Sequence, residues 1–437
     1  MPDRKEFDIV IIGAGVLGSA IAYELSLAFP GKIAVIEKEE TAGKHTSSRN
    51  TGVIHRPFYL DPQKKRIFAE SSQVSFGMWK SLAEKHGLPW MENGTLEIAT
   101  REDDMKSVES YSKWAISNGM REEEFRIFDH QGLSQYEPLV QGYGAFLSVT
   151  DACVSFGAFT GKIMELAVAS GIEFIAGYSV TDAVETPDGI LMKASGPKGE
   201  VEVIAGFMVN CSGGDSLSIA HRMHLAKKYA VLHFRGDYWV VGDSYPGRMR
   251  HNIYTVPKHK KFPFLDPHFI LRQDGRRELG PNAALVATPY DYSDQHDSGS
   301  LFLKLLERPT LPKLKLLTNS EFISLVRSEW KSSRSMDEMA RRVREFIPGL
   351  ETSYITGRGL SGVRNSLIDS SGFVPEAVLE QSDHSLHILN YNSPGATGAP
   401  AFALYAISTL KDSGKISLRS SAKLESSSWA REISSLF

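Results

Sequence analysis

The chain has 437 residues, 42% of them hydrophobic and 23% charged, with a formal net charge of -3. That length and apolar content support a large buried core in two domains, while the mixed charge gives no footprint for nucleic acid and no stretch reaches the ~20 apolar residues of a helical membrane span. Cys153 and Cys211 lie far apart, in neither CxxC nor metal-ligand spacing, and ordered sequence begins by Phe7 with no room for a cleavable leader, so buried thiols in a reducing, cytoplasmic compartment are expected over a disulfide.

Phe7 to Ile12 is an apolar run of strand length, and Gly13-Ala14-Gly15-Val16-Leu17-Gly18 follows where such a strand must turn into a helix. Gly13 permits the tight turn, Gly15 lets backbone approach a pyrophosphate, and Gly18 lets the helix pack close to the sheet. The helix start adds free N–H groups and a positive dipole end. A second apolar run, Ile33 to Ile36, closes on Glu37, placed as the carboxylate that hydrogen-bonds a ribose hydroxyl. The pattern predicts a bound adenine dinucleotide. A βαβ turn without a ligand is the alternative.

From Lys38 to His55 the chain is polar and glycine-containing rather than the next helix of a simple nicotinamide domain, which points to FAD over NAD. Lys38, Thr46, Ser47, Ser48, Arg49, Asn50 and Gly52 make a segment able to wrap a long cofactor and supply donors to phosphate and ribitol oxygens. A solvated loop of small polar residues is the other reading. Val201 to Asn210 reads as a strand pair that ends in Asn210-Cys211-Ser212-Gly213-Gly214-Asp215, a glycine turn able to return to the adenosine half. Asp291 to Pro312 reads as a loop followed by a helix, and Ser332 to Asp337 leads into a capped amphipathic helix over Glu338 to Ile347 with a solvated arginine face. Near the end, Leu386 to Asn390 leads to Ser393-Pro394-Gly395-Ala396-Thr397-Gly398 and a helix of small residues, a second anion-stabilising terminus suited to a reduced isoalloxazine. A structural βα unit is the alternative there. The tail from Lys411 to Phe437 is rich in Ser and Lys and is expected to be partly disordered.

These segments resemble the FAD-dependent oxidoreductases of the D-amino acid oxidase type, and within them the L-2-hydroxyglutarate dehydrogenases. The likeness is carried by Asn50-Thr51-Gly52-Val53-Ile54-His55, Phe234-Arg235-Gly236-Asp237-Tyr238, Asn252 to Pro257, Phe262 to Phe269, Asp274-Gly275, Leu279 to Ala283, Gly362-Val363-Arg364 and Ser393 to Thr397, in the family's order up to about Leu410. After His55 the chain departs from the subgroup's Ser-Gly, isoleucine and two tyrosines, reading Arg56-Pro57-Phe58-Tyr59-Leu60. Arg56 is expected either to contact a carboxylate or phosphate or to point to solvent.

The resemblance implies an α/β fold: a discontinuous Rossmann-like FAD-binding domain from residues 1–90, 145–225 and 355–437, and an α+β substrate domain on an antiparallel sheet from 91–144 and 226–354. It implies oxidation of an L-2-hydroxy acid, with L-2-hydroxyglutarate first, by hydride transfer to flavin N5. His55 is the expected base, since histidine as a residue type titrates near physiological pH; holding the flavin or orienting another group is its alternative. Arg364, in a turn before a strand, is expected to pair with the substrate carboxylate, or else to brace the flavin loop. Tyr254, Tyr238, His268 and Arg235 are weaker candidates; Asn390 and Ser393 are expected at the ring or the substrate, and Gly395, Ala396 and Thr397 at the flavin. The electron acceptor is open among quinone, another carrier and oxygen, with peripheral membrane contact compatible with the first. A glycerol-3-phosphate dehydrogenase-like enzyme, an amine oxidase and a flavin-binding scaffold without turnover are the competing readings.

Overall fold

The computed structural model describes residues 3–259, 262, 266–293 and 298–418, so Pro263 to Leu265 of one resemblance motif and the tail beyond residue 418 lie outside it. Its first sheet has eight strands. Asp3–Ile12 lies at its centre, parallel to Ile33–Glu37 on one side and Gly199–Asn210 on the other. Glu173–Ala176 continues in parallel beyond Ile33–Glu37. Gly199–Asn210 spends its first half against Gly189–Gly196, antiparallel, and its end against Ser385–Leu389, parallel. Ser179–Thr186 and Val378–Gln381 complete the edges.

Gly199–Asn210 is one strand, where the sequence reads as a pair. Its buried alternation changes face at Gly206: Val203 and Ala205 join one core, Phe207 and Val209 the opposite one. A glycine at a phase change mimics a turn in sequence, but both halves stay in register with Asp3–Ile12. The helices Val16–Ala28, Phe156–Ala169 and Gly395–Asp412 cover one face of the sheet, with Leu25, Ile21, Phe402 and Ala403 meeting Ile9 and Val35.

A second eight-stranded sheet runs in the order Ile355–Arg358, Trp239–Val241, Arg277–Gly280, His268–Leu271, Asn252–Thr255, Thr95–Ala99, Gly144–Ser148, Phe125–Asp129. Every pairing is antiparallel except that of Asn252–Thr255 with Thr95–Ala99. A four-stranded antiparallel sheet joins Ala284–Val286, Ala230–Gly236, Gly362–Asp369 and Gly372–Phe373. Gly144–Ser148 and Ile355–Arg358 belong to the second sheet and Gly362–Asp369 pairs with Ala230–Gly236, all through antiparallel neighbours. Arg364 is therefore inside a strand, opposite Phe234, and not in a turn before one.

The capped helix expected over residues 338–347 is Met336–Val343, with Ser335 capping it by accepting from the Glu338 N–H, and a separate helix, Ser320–Arg334, precedes it. The arginines of Met336–Val343 are not all solvated: Arg342 is half-buried and pairs with the buried Glu329 at 3.0 Å, while Arg341 is exposed beside Glu338. In the Asp291 to Pro312 region the helix is Ser298–Leu306, and residues 294–297 lie outside the described part. Cys153 and Cys211 are free thiols, and burial raises the pKa of both. No helix among the described residues is long and apolar enough to cross a membrane.

Candidate active site

The glycine turn after Asp3–Ile12 is closed from behind. Gly13 has φ +96°, and a Cβ on it would stand 2.7 Å from the Cys211 carbonyl oxygen; a Cβ on Gly18 would stand 2.0 Å from the Gly13 oxygen. The missing side chains bring helix Val16–Ala28 onto the sheet and leave its N-terminus open to a cleft. The Val16 N–H donates to Ser47 Oγ at 2.9 Å. Glu37 is anchored at both oxygens, accepting from the Ala14 N–H at 2.6 Å and the Glu39 N–H at 3.0 Å.

Two cavities meet at this terminus. An outer one of about 340 Å³ is lined by Gly13, Glu37, Lys38, Ser212 and Gly214, among others. An inner one of about 370 Å³ is lined by Asn50, His55, Tyr254, Arg364, Asn390 and Gly395–Thr397, among others. Gly15, Thr46, Ser47, Cys211, Gly213 and Asn365 line both, so the cleft runs past the helix start without a break. An extended dinucleotide fits this shape: a glycine cradle that a Cβ would fill, an acidic strand end at one extreme, and a second helix start, Gly395–Asp412, at the other. Lys38 lies over the Tyr290 ring at 3.1 Å and 3.7 Å from Asp215, and burial lowers its pKa.

Several expected cofactor residues hold the wrap together. Ser48 donates to the Gly43 carbonyl and is exposed, and Gly52, with φ +73°, packs against the Val154 carbonyl. Asn50 donates to the Thr46 and Ser47 carbonyls and accepts from the Gly52 N–H. Asn390 lines the inner cavity, yet its side chain is committed: it donates to the Val374 and Glu376 carbonyls and accepts from the Leu367 N–H. Neither ring nor substrate has a claim on an amide so occupied. Ser393 lines the inner cavity from the exposed loop before Gly395.

His55 follows the short strand Val53–Ile54, which pairs with Ala152–Cys153 and so brings Asp151 beside it. His55 Nδ1 is 2.9 Å from Asp151 Oδ2, and Nε2 is 3.3 Å from the Tyr254 hydroxyl. Tyr59 and Tyr254 pack edge-on against the imidazole, with centroids 5.7 and 5.3 Å away. Asp151 is fully buried; its other oxygen accepts from the Arg56 N–H at 2.9 Å and the Ser148 hydroxyl at 2.5 Å. With Nδ1 donating to this carboxylate, Nε2 is the acceptor and the Tyr254 hydroxyl donates to it; both residues line the inner cavity. Sequence reading misses Asp151. Its only local signal is an acid between two apolar strands, and its partner is 96 positions away.

Arg364 also lines this cavity; burial lowers its pKa, opposed by Tyr238 and Tyr59. Tyr238 is buried in the wall, its phenol pushed up to about 12 by burial. His268 stacks on Tyr254 at 3.7 Å, is 2% exposed, and neither of its ring nitrogens has a hydrogen-bond partner among the described residues. Burial first, then His55, Arg364 and Arg342, hold its pKa well below the usual histidine range. Two arginines leave the expected site. Arg235 is fully buried outside the cavity, paired with Asp237 at 2.8 Å and donating to Ser333 Oγ. Arg56, 4% exposed, points neither to a ligand nor to solvent: its guanidinium donates to both Glu124 oxygens, at 2.9 and 3.1 Å, and to Gln73, over the Phe76 ring.

Residues 8–408 match the family model DAO, described as FAD dependent oxidoreductase. The chain is 29% identical over 412 residues to a Caenorhabditis elegans protein named L-2-hydroxyglutarate dehydrogenase, mitochondrial, covering 92% of each. It is 26% identical over 407 residues to the Escherichia coli L-2-hydroxyglutarate dehydrogenase, covering 93% of each. The human protein of the mitochondrial name is 28% identical over 424 residues, covering 91% of this chain and 87% of that one. Among solved structures, the FAD-bound L-alpha-glycerophosphate oxidase of Mycoplasma pneumoniae superposes with a TM-score of 0.74 at 18% identity, covering 93% of this chain and 95% of that one. Glycine oxidase from Geobacillus kaustophilus gives 0.68 at 16% identity, with the same coverage. The glycine cradle, the continuous cleft and a family match spanning almost the whole chain agree: this protein belongs to the DAO family of FAD-dependent oxidoreductases.

Proposed function

We propose that the enzyme oxidises the 2-hydroxyl of an L-2-hydroxy acid, with L-2-hydroxyglutarate as substrate and 2-oxoglutarate as product. The observation that carries this reading is the His55–Asp151 pair, 2.9 Å apart, in the lining of a cavity that Arg364 also lines. Alcohol oxidation must lose a proton from oxygen as well as a hydride from carbon, so it needs a base beside the reacting carbon. Nε2 takes that proton, and Asp151 holds the tautomer and stabilises the imidazolium that results. Arg364 offers paired donors to the C1 carboxylate and so fixes which face of C2 is presented. His268, neutral by burial and with both nitrogens unpartnered, offers one donor and one acceptor to the rest of the substrate. Gly13, Gly15, Thr46, Ser47, Ser212, Gly213, Gly395, Ala396 and Thr397 would hold FAD, which when bound supplies the two-electron acceptor. The names of the relatives support the substrate class.

The glycerol-3-phosphate reading loses its extra arginine, because Arg56 is spent on Glu124. The test is His55→Ala under anaerobic conditions. The variant is expected to keep its flavin and to lose flavin bleaching by L-2-hydroxyglutarate by roughly 10²–10⁴-fold. Unchanged bleaching would remove His55 from the mechanism.

A further inference from the structure

The cofactor cleft is bridged at its outer end by a segment that comes from another part of the fold. Pro289 to Tyr292 follows the strand Ala284–Val286 of the four-stranded sheet, yet Pro289 and Tyr290 line the outer cavity. Pro289 sits so close to the glycine turn after Gly199–Asn210 that a Cβ on Gly214 would stand 2.3 Å from the proline Cβ. Only glycine permits that approach. Asp291 shapes the segment itself, accepting from the Ala287 N–H at 3.0 Å, the Thr288 N–H at 2.9 Å and the Thr288 hydroxyl at 2.8 Å. Tyr290 and Tyr292 project from this turn onto the cofactor side.

Each tyrosine takes hold of a different place. The Tyr290 hydroxyl donates to Asp215 Oδ2, its ring lies 3.1 Å beneath Lys38 Nζ, and that ammonium is 3.7 Å from the same carboxylate oxygen. Lys38 and Asp215 follow Ile33–Glu37 and Gly199–Asn210, the two strands that flank Asp3–Ile12. Tyr290 therefore spans the end of the central strand, where Gly13 opens the cradle. Tyr292 meets the wrap: its hydroxyl is 2.9 Å from His45 Nδ1, the Arg49 guanidinium lies 4.0 Å over its ring, and His45 Nε2 is 2.7 Å from Glu39. Both tyrosines are half-buried. Charge-assisted hydrogen bonds and cation–ring pairs are strong at a partly desolvated rim, and they part without opening a hydrophobic core. We infer that Pro289 to Tyr292 is a clasp over the adenosine end of the cofactor cleft, in which Tyr290 sets how slowly FAD leaves. With FAD lying along both cavities, its adenosine half withdraws past the strand ends only when Tyr290 lets go of Asp215 and Lys38. The inference rests on the family's cofactor and not on the substrate proposed above, so its test needs no turnover.

The test measures release of radiolabelled FAD from the full-length holoenzyme, chased with excess unlabelled FAD. Tyr290→Ala is expected to release it more than about tenfold faster, the scale of one hydrogen bond to a charged group. Tyr290→Phe keeps the ring beneath Lys38 and loses only the hydroxyl, so its release rate should fall between those of the wild type and the alanine variant. Binding to the apoproteins, followed by titration calorimetry, adds a second readout. ADP, which fills the outer end alone, should bind Tyr290→Ala more weakly by a similar factor, while FMN, which fills the inner end, should bind as it does to the wild type. A loss of FMN affinity equal to that of ADP marks a general loosening of the fold and overturns the inference. Release from Tyr290→Phe at the wild-type rate overturns it too, whether or not the alanine variant folds.

Discussion

Asp151 is placed to decide which nitrogen of His55 meets the substrate. Its two oxygens are divided between the imidazole on one side and the Arg56 N–H and Ser148 hydroxyl on the other, so it has no freedom to turn away. Asp151→Asn would present either an amide donor or a weaker acceptor to Nδ1 and favour the wrong tautomer. Flavin reduction in anaerobic stopped flow is expected to slow by roughly 10²–10⁴-fold, with the substrate concentration giving half-maximal rate changed much less. Arg56 illustrates a different outcome. The position that departs most from the resembled subgroup belongs to a buried bidentate ion pair with Glu124, not to the pocket. Arg56→Ala should therefore cost about 3–5 kcal/mol in denaturant unfolding, by leaving Glu124 buried and unpaired, and should leave the substrate preference of flavin reduction as it was. His55 was legible because it ends a family motif. Asp151 and Glu124 were not, because each acts on a partner far away in the chain, and only the strand pairing of Val53–Ile54 with Ala152–Cys153 makes the first of them a neighbour.

Helix Val16–Ala28 joins cofactor binding to stability. Its start is shaped by Gly13 and Gly18, and Gly18→Ala would force a Cβ against the Gly13 oxygen, backbone on backbone with nothing flexible to yield. That variant is expected to lower both flavin content after gel filtration and the thermal midpoint. The same helix buries Glu24, 1% exposed and with one oxygen unpartnered, whose carboxyl is raised by burial to about 8 from 4.5. A folded-state pKa above the unfolded one means that the native protein keeps a proton the unfolded chain releases, so stability falls as pH rises from about 4.5 through 8. Glu24→Gln should remove that slope, stabilising the protein at the top of the window by an amount on the order of a few kcal/mol and hardly at all at its foot. The glycine turn was readable because its signals are local: strand, glycine spacing and helix follow one another. Gly199–Asn210 was misread for the same reason, since Gly206 carries a local turn signal while the register that keeps the strand whole is set by Asp3–Ile12.

The whole molecule puts the candidate site where four sheets meet. The parallel sheet supplies the cofactor cleft, the short Val53–Ile54 pairing supplies His55 and Asp151, and the antiparallel sheets supply Tyr254, His268 and Arg364. The strand pairings between distant segments were not readable. Gly144–Ser148 and Gly362–Asp369 pack by strand pairings that no single segment reveals, and Arg364 reaches the cavity only because its strand lies against Ala230–Gly236. The most direct measurement is anaerobic stopped-flow absorbance of the FAD-loaded enzyme mixed separately with L-2-hydroxyglutarate, its D-enantiomer and glycerol 3-phosphate. Rapid loss of the oxidised flavin band with the L-hydroxy acid alone is the predicted result; bleaching by glycerol 3-phosphate instead, or by none of the three, would contradict it.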